Sequence, residues 1–359
     1  MIPEELLLSN YDYDIFPELI AQKPVENRQD SKLFVIDRKN GKFHHKNFTE
    51  IIDYLDIGDC LVLNSTKVVP SRLFGVKKSG GKVELLFLNP CQSLPENKYR
   101  VLMKPFIAAG NKVFFKNEYE CEVLAKELNG EVIVKFNKSD ILDFLQQFGI
   151  MPLPPYINRK NGLAQELSDF DRKRYQTVYA QYPGAIAAPT AGLHFTEKLL
   201  SDLTSRGIRV AMLTLHVGWG TFKPIISQNI CQHKMLAEKF TIDAKNAEMI
   251  NYAKKENKRI IAVGTTSTRA METIAAKVGF EQDGKVFIKQ FDGETSIFIY
   301  PGYKFKIIDS LITNLHLPKS TPLMMASAFA GRKKLLSAYK EAIKNKYKFF
   351  SYGDSMLIL

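Results

Sequence analysis

Two patterns of apolar residues alternate along this chain, and the change between them divides it. Between positions 65 and 155, short β-branched and aromatic runs at 83–88, 99–103, 112–115, 119–124 and 131–136 follow one another, separated by Gly, Pro and Asn. Runs of that length bounded by turn residues predict a small antiparallel barrel or sandwich. An amphipathic stretch at 141–148 predicts one helix closing it, and Pro152-Leu153-Pro154-Pro155-Tyr156 forms a stiff exit. Outside this block the period lengthens. Upstream, strand 33–36 and the turn Asn40-Gly41 predict a hairpin, followed by a helical segment 48–55 and a buried strand 60–63. Downstream, helix 196–206, with Thr196 as its cap and Gly207 as its stop, leads to strand 208–215. Helix 244–258 leads to strand 260–263, and helix resumes at 268. Strands 296–300 and 307–312, helices 322–329 and 334–347, and an apolar C-terminal strand complete the series. Helix and strand in alternation imply a largely parallel sheet flanked by helices. The expected architecture is therefore α/β and β: an α/β domain from residues 1–64 plus 156–359, interrupted by an inserted small antiparallel β-barrel domain at 65–155.

Composition adds a partner to this picture. The 359 residues carry 50 Lys and Arg against 38 Asp and Glu, a net charge of +12, which points to an acidic partner and first to nucleic acid. Cys60, Cys91, Cys121 and Cys231 are scattered without metal-ligand spacing, so neither a zinc site nor a disulfide framework is expected, and no metal. The N-terminus lacks a basic leader and no apolar run reaches the length of a membrane span, so the chain reads as cytoplasmic, without a membrane partner. Two nucleotide signatures fail. Gly81 stands where a P-loop over 75–83 needs lysine, and Gly218-Trp219-Gly220 lacks the third glycine of a dinucleotide fingerprint.

The candidate chemistry lies in polar turns at the ends of predicted strands, which is where open α/β sheets bind ligands. One turn carries Thr190, Gly192 and His194, and a second carries His216 and Gly218. A third, Gly264-Thr265-Thr266-Ser267-Thr268-Arg269, offers hydroxyls, a helix N-terminus and a guanidinium to a carboxylate or phosphate. Asn314 and His316 follow another strand, and Tyr352 and Asp354 lie near the C-terminus. Each has a plainer reading as well: a packed turn around His194, a capped helix start at 264–267, a core anchor in Trp219, and loop satisfaction by Asn314 and His316. Together they predict an enzyme with an anionic ligand and leave the reaction open.

The order of these segments carries more. Arg72-Leu73-Phe74-Gly75, Pro152-Leu153-Pro154-Pro155-Tyr156-Ile157, Ala188-Pro189-Thr190-Ala191-Gly192-Leu193-His194-Phe195-Thr196, Leu215-His216-Val217-Gly218, Gly264-Thr265-Thr266-Ser267, Leu311-Ile312-Thr313-Asn314 and Ser351-Tyr352-Gly353-Asp354 occur in sequence. With them the chain resembles the S-adenosylmethionine:tRNA ribosyltransferase-isomerase family of queuosine biosynthesis over essentially its whole length. Two positions depart from the family pattern: Ser65 stands where an aspartate is usual, and Leu236 where a second histidine is usual. The resemblance implies an α/β domain with an inserted barrel and S-adenosylmethionine as ribosyl donor, with no further cofactor. The ribosyl part passes to the aminomethyl group of a 7-aminomethyl-7-deazaguanine in a tRNA anticodon loop and is isomerised to an epoxycyclopentane, while adenine and methionine leave.

Such a reaction needs a base for the carbon beside the sulfonium, an acid for departing adenine and a holder for the methionine carboxylate. The resemblance implies His194 and His216 as acid and base, the more so with Leu236 in place of a histidine, and Asp354 to orient an amine or ring nitrogen. Thr265, Thr266, Ser267 and Arg269 are expected to hold the anionic end. Thr190, Gly192, Gly218, Asn314, His316 and Tyr352 are expected to contact substrate, with Trp219 or Tyr352 stacking on the base. Lys67, Arg72 and Lys82, with lysines of helix 334–347, are expected to meet RNA phosphates. A tRNA methyltransferase, which would leave S-adenosylhomocysteine, and a non-catalytic RNA-binding protein are the alternative readings.

Overall fold

The computed structural model describes residues 3–159 and 167–359. Among them, nine strands form one sheet in the order Phe291–Thr295, Glu238–Ile242, Arg209–Leu215, Cys60–Asn64, Ile260–Val263, Ser310–Asn314, Ser355–Ile358, Lys32–Ile36 and Phe43–Asn47. The centre is parallel: Cys60–Asn64 pairs in parallel with both Arg209–Leu215 and Ile260–Val263, and the latter with Ser310–Asn314. Ser355–Ile358 runs antiparallel to Ser310–Asn314, and both outer edges of the sheet are antiparallel pairs. The parallel reading thus holds at the centre and gives way at the flanks, so the sheet is mixed.

Alternation of side chains explains why the central strands read as unbroken apolar runs. Cys60 and Val62 face a core that includes Ala247, Ile250, Ile274, Leu323 and Leu335, while Leu61 and Leu63 face a second core with Phe48, Phe195 and Leu199. Strands covered on both faces must be apolar at every position. Helices Ala244–Lys255, Gly264–Lys277, Thr321–Ala330 and Arg332–Lys344 cover one face; the turn Phe48–Tyr54 and helix Glu197–Ser205 cover the other. Thr196 caps the last of these as expected, its Oγ1 accepting from Leu199 N at 3.1 Å, a contact that stabilises by about 1 kcal/mol.

The β-rich block closes into a barrel in the order Val132–Phe136, Lys98–Lys104, Lys82–Phe87, Arg72–Lys77, Lys112–Phe114 and Glu120–Lys126. Alternate residues such as Leu85, Phe87, Val101, Val123 and Phe136 fill it, and Ile141, Phe144 and Leu145 of helix Ile141–Phe148 plug one end. Arg72–Lys77 is a strand that the sequence did not reveal. Gly75 is required there by packing: a Cβ would stand 2.5 Å from Val113 Cγ1.

Three other differences bear on the site. Helix Gly264–Lys277 begins at Gly264 and not at residue 268, since Gly264 at φ +90° lets the chain turn from strand directly into helix. The strand expected at 296–300 lies instead at Phe291–Thr295, and Glu238–Ile242 is a strand that the sequence did not reveal. Among the described residues no helix is long and apolar enough to cross a membrane.

Candidate active site

Because the central strands run parallel, Asn64, Leu215, Val263 and Asn314 all end at one edge of the sheet. Asn64 knots these ends together. Its Nδ2 donates to Leu215 O at 3.0 Å and to Thr266 Oγ1 at 3.2 Å, and its Oδ1 accepts from the N–H groups of Leu215 and Thr66 at 2.9 and 3.2 Å. Beside it, buried Ser65 bonds Leu213 O and Thr214 Oγ1 at 3.0 and 2.9 Å. A serine satisfies this position within the fold, where an aspartate would carry charge into it.

Above the knot lies a cavity of about 100 Å³ walled by Thr190, Thr265, Thr266, Asn314, His316 and Ser351 among others. Helix Gly264–Lys277 opens onto it without any side-chain cap. Its first backbone N–H groups are therefore available to an acceptor from the cavity. A larger cleft of about 770 Å³ runs between the barrel and the proline exit segment. Arg72, Phe74, Met103 and Lys104 contribute the barrel wall, and Trp219 and Asp171 the opposite one. Tyr156 lies on the walls of both, its hydroxyl 2.6 Å from Ser351 Oγ and pushed up to about 12 by burial, so it is a phenol donor at neutral pH.

The three candidate histidines separate. His316 is on the small cavity's wall, with Nε2 2.7 Å from Thr313 Oγ1, and burial pushes it down to about 3. His194 stands one layer behind. Phe350 O accepts from Asn314 Nδ2 at 3.1 Å, which fixes that amide, so Nδ2 also donates to His194 Nε2 at 3.3 Å. The proton then resides on His194 Nδ1, which donates to Ser31 Oγ at 2.8 Å. Burial first, and the nearby Arg28 charge second, push this imidazole down to about 3. With both nitrogens engaged, it positions Asn314. His216 is held by Thr66 Oγ1 at 2.8 Å and lies against Gly184, where a Cβ would come within 2.6 Å of the ring. Burial lowers its pKa, and it too is off the small cavity's wall.

Other expected ligand contacts also have structural occupations. Arg269 does not reach out to grip an anion, because its guanidinium is committed to Glu238 through a short buried ion pair and to Ile297 O at 3.1 Å. Gly218 donates its N–H to Glu238 Oε1 at 2.8 Å. Gly192 is pressed against Tyr179, and Ser267 is fully buried inside the helix. Asp354 accepts from the N–H groups of Lys32 and Lys348 at 2.8 and 2.7 Å; burial raises its pKa and these bonds oppose the rise. It ties the C-terminal turn to the first strand. Tyr352 is buried edge-on against Tyr175, too enclosed to stack on a base. Arg72 pairs with Glu84 at 3.0 Å inside the large cleft, whereas Lys67 and Lys82 are exposed. The sequence reading missed Phe74, Lys104, Tyr156, Glu238 and the buried Arg159–Asp171 pair. An aromatic left 46% exposed on a barrel strand is a signal only the fold supplies.

The His194 environment carries a pH prediction. A histidine at about 3 when folded and near its ordinary 6.5 when unfolded takes its proton only on unfolding between those values. Its contribution to stability is present above pH 6.5 and is lost as pH falls toward 3, by up to about 1.4 kcal/mol per pH unit. His194→Gln should be less stable than the parent at pH 7, with the gap narrowing at pH 4.5 in urea titrations. A pH-independent gap would contradict the neutral assignment.

Parallel strand ends, an uncapped helix and a cleft walled by a barrel make this an α/β enzyme with an inserted β-barrel. The family described as queuosine biosynthesis protein matches residues 8–358. The chain is 49% identical to the S-adenosylmethionine:tRNA ribosyltransferase-isomerase of Fusobacterium nucleatum, over 98% of this chain and 96% of that protein. It is 46% identical to the protein of the same name from Acetivibrio thermocellus, over 98% and 99%. A crystal structure of S-adenosylmethionine tRNA ribosyltransferase from Thermotoga maritima superposes with a TM-score of 0.55 at 33% identity, covering 98% of this chain and 100% of that one. The chain belongs to the queuosine biosynthesis protein family.

Proposed function

We propose that this enzyme transfers and isomerises the ribosyl moiety of S-adenosylmethionine onto tRNA, at the aminomethyl group of a 7-aminomethyl-7-deazaguanine in the anticodon loop, with release of adenine and methionine. The observation that carries this reading is the pair of cavities that share Tyr156 as a wall residue. The small one presents an uncapped helix N-terminus to a carboxylate, and the large one is in the volume range of nucleotide-sized ligands. Residues 1–64 and 156–359 then form the catalytic domain and 65–155 an insert that supplies one wall of the cleft. A tRNA substrate places the protein in the cytoplasm, and exposed Lys67, Lys82 and Lys104 are suited to phosphates.

The positive sulfonium acidifies the adjacent carbon, so a weak base suffices. His316, neutral and on the cavity wall, is the proton acceptor in this reading; His194 and His216 act through Asn314 and Thr66. Trp219 and Phe74, on opposite walls of the large cleft, offer aromatic faces to the target base. Mixing protein, S-adenosylmethionine and tRNA bearing the aminomethyl base should release free adenine and methionine. Accumulation of S-adenosylhomocysteine would identify a methyltransferase instead, and no turnover with tRNA bound would leave an RNA-binding protein.

A further inference from the structure

Asn314 is 2% exposed, and its Oδ1 has no hydrogen-bond partner. The amide cannot turn to relieve this. Phe350 O, a carbonyl that only accepts, holds Nδ2 at 3.1 Å, and His194 Nε2 accepts from the same group. A buried acceptor fixed in this way calls for a donor. Asn314 lies on the wall of the small cavity, where the helix beginning at Gly264 presents the opposite need, backbone N–H groups without acceptors.

The walls of this cavity restrict what can satisfy both. No Asp, Glu, Lys or Arg lines it, and its one histidine is held neutral by burial. A group bearing net charge, such as a phosphate, would leave that charge uncompensated in a partly dry site. A zwitterion brings donor and acceptor together with no net charge. At about 100 Å³ the space suits a head group of a few heavy atoms and excludes a nucleoside.

The geometry points to the small cavity as a receptor for the α-amino-acid end of S-adenosylmethionine, bound as a zwitterion, with its carboxylate on the first N–H groups of helix Gly264–Lys277 and its α-ammonium on Asn314 Oδ1. This rests on the function proposed above and adds the orientation of the donor: amino acid inward, nucleoside outward past Tyr156 into the large cleft. His194 becomes a positioning residue. By accepting from Nδ2 it keeps Oδ1 turned to the ammonium.

Calorimetric titration of the full-length protein without tRNA tests the assignment, using S-adenosylmethionine, its decarboxylated analogue and an analogue with hydrogen in place of the α-amino group. Each analogue should bind at least about tenfold more weakly than S-adenosylmethionine, because each leaves one side of the cavity unpaired. In Asn314→Ala the penalty for the missing amine should disappear while that for the missing carboxylate persists. Equal affinity of all three ligands for the parent protein would overturn the inference, as would an unchanged amine penalty in the variant. If the variant does not fold, the series on the parent protein still decides. Equal affinities would leave the proposed reaction standing, whereas failure of S-adenosylmethionine and modified tRNA to give adenine would remove the reaction itself.

Discussion

Gly192→Ala is expected to destabilise the protein by about 3 kcal/mol, at the upper end of overpacking substitutions. A Cβ at this position would stand 1.9 Å from Tyr179 Oη, 2.9 Å from Thr177 Cγ2 and 3.0 Å from Tyr179 Cζ. None of these atoms can retreat freely, since Tyr179 packs against the core beneath the sheet. The Tyr179 hydroxyl is buried without a partner, so Tyr179→Phe alone should be neutral or slightly stabilising. Combined with Gly192→Ala it should recover part of the loss, the ring carbon and Thr177 accounting for the rest. Urea denaturation of the two single variants and the double variant measures this coupling. If Gly192 served instead as a point of close approach for substrate, the alanine variant would keep parental stability and show a raised KM.

Gly192 also shows where reading the sequence succeeded and where it stopped. Glycine, histidine and threonine between a strand and a helix marked this turn as special, and the turn does border the cavity through Thr190 and Ala191. Which of its residues face the cavity depends on contacts from far along the chain: Tyr179 behind Gly192, Ser31 and Asn314 around His194. The same limit applies to His316. A histidine two positions after Asn314 looks like a loop residue until four parallel strands bring its turn to the end of the sheet. Element boundaries were legible wherever period and capping agreed, as at helix Ile141–Phe148, which fills its expected span. They failed where packing overrode composition. Arg72–Lys77 is a strand because Leu73 enters the barrel and Gly75 admits Val113, although Arg72, Gly75 and Lys77 are residue types common in turns. The two departures from the family pattern differ in the same way. Ser65 is buried and fully engaged, whereas Leu236 is 41% exposed beside Gly220, so only the first is built into the strand-end knot.

Glu238→Ala is the second substitution with a large expected effect, and it separates a fold requirement from a functional one. Glu238 and Arg269 are both buried, and the carboxylate holds Arg269 through one oxygen while its other accepts from Gly218 N at 2.8 Å. Removing it leaves a guanidinium inside the protein with only carbonyl oxygens for company, which costs about 3–5 kcal/mol. Replacing both partners with apolar residues of similar volume, Glu238→Leu with Arg269→Met, should restore most of that stability, because the desolvation of the two charges vanishes with them. Activity should not return with it. Gly218 N–H would still lack its acceptor, and the segment that sets Trp219 on the wall of the large cleft would lose its anchor. Glu238→Gln keeps an acceptor for Gly218 but gives up the charge opposite Arg269, so it should be less stable than the apolar pair yet retain more turnover per folded molecule. Thermal unfolding together with kcat/KM for tRNA across the three variants distinguishes these outcomes. Full activity in the apolar pair would show that the Glu238 to Gly218 bond has no part in shaping the cleft.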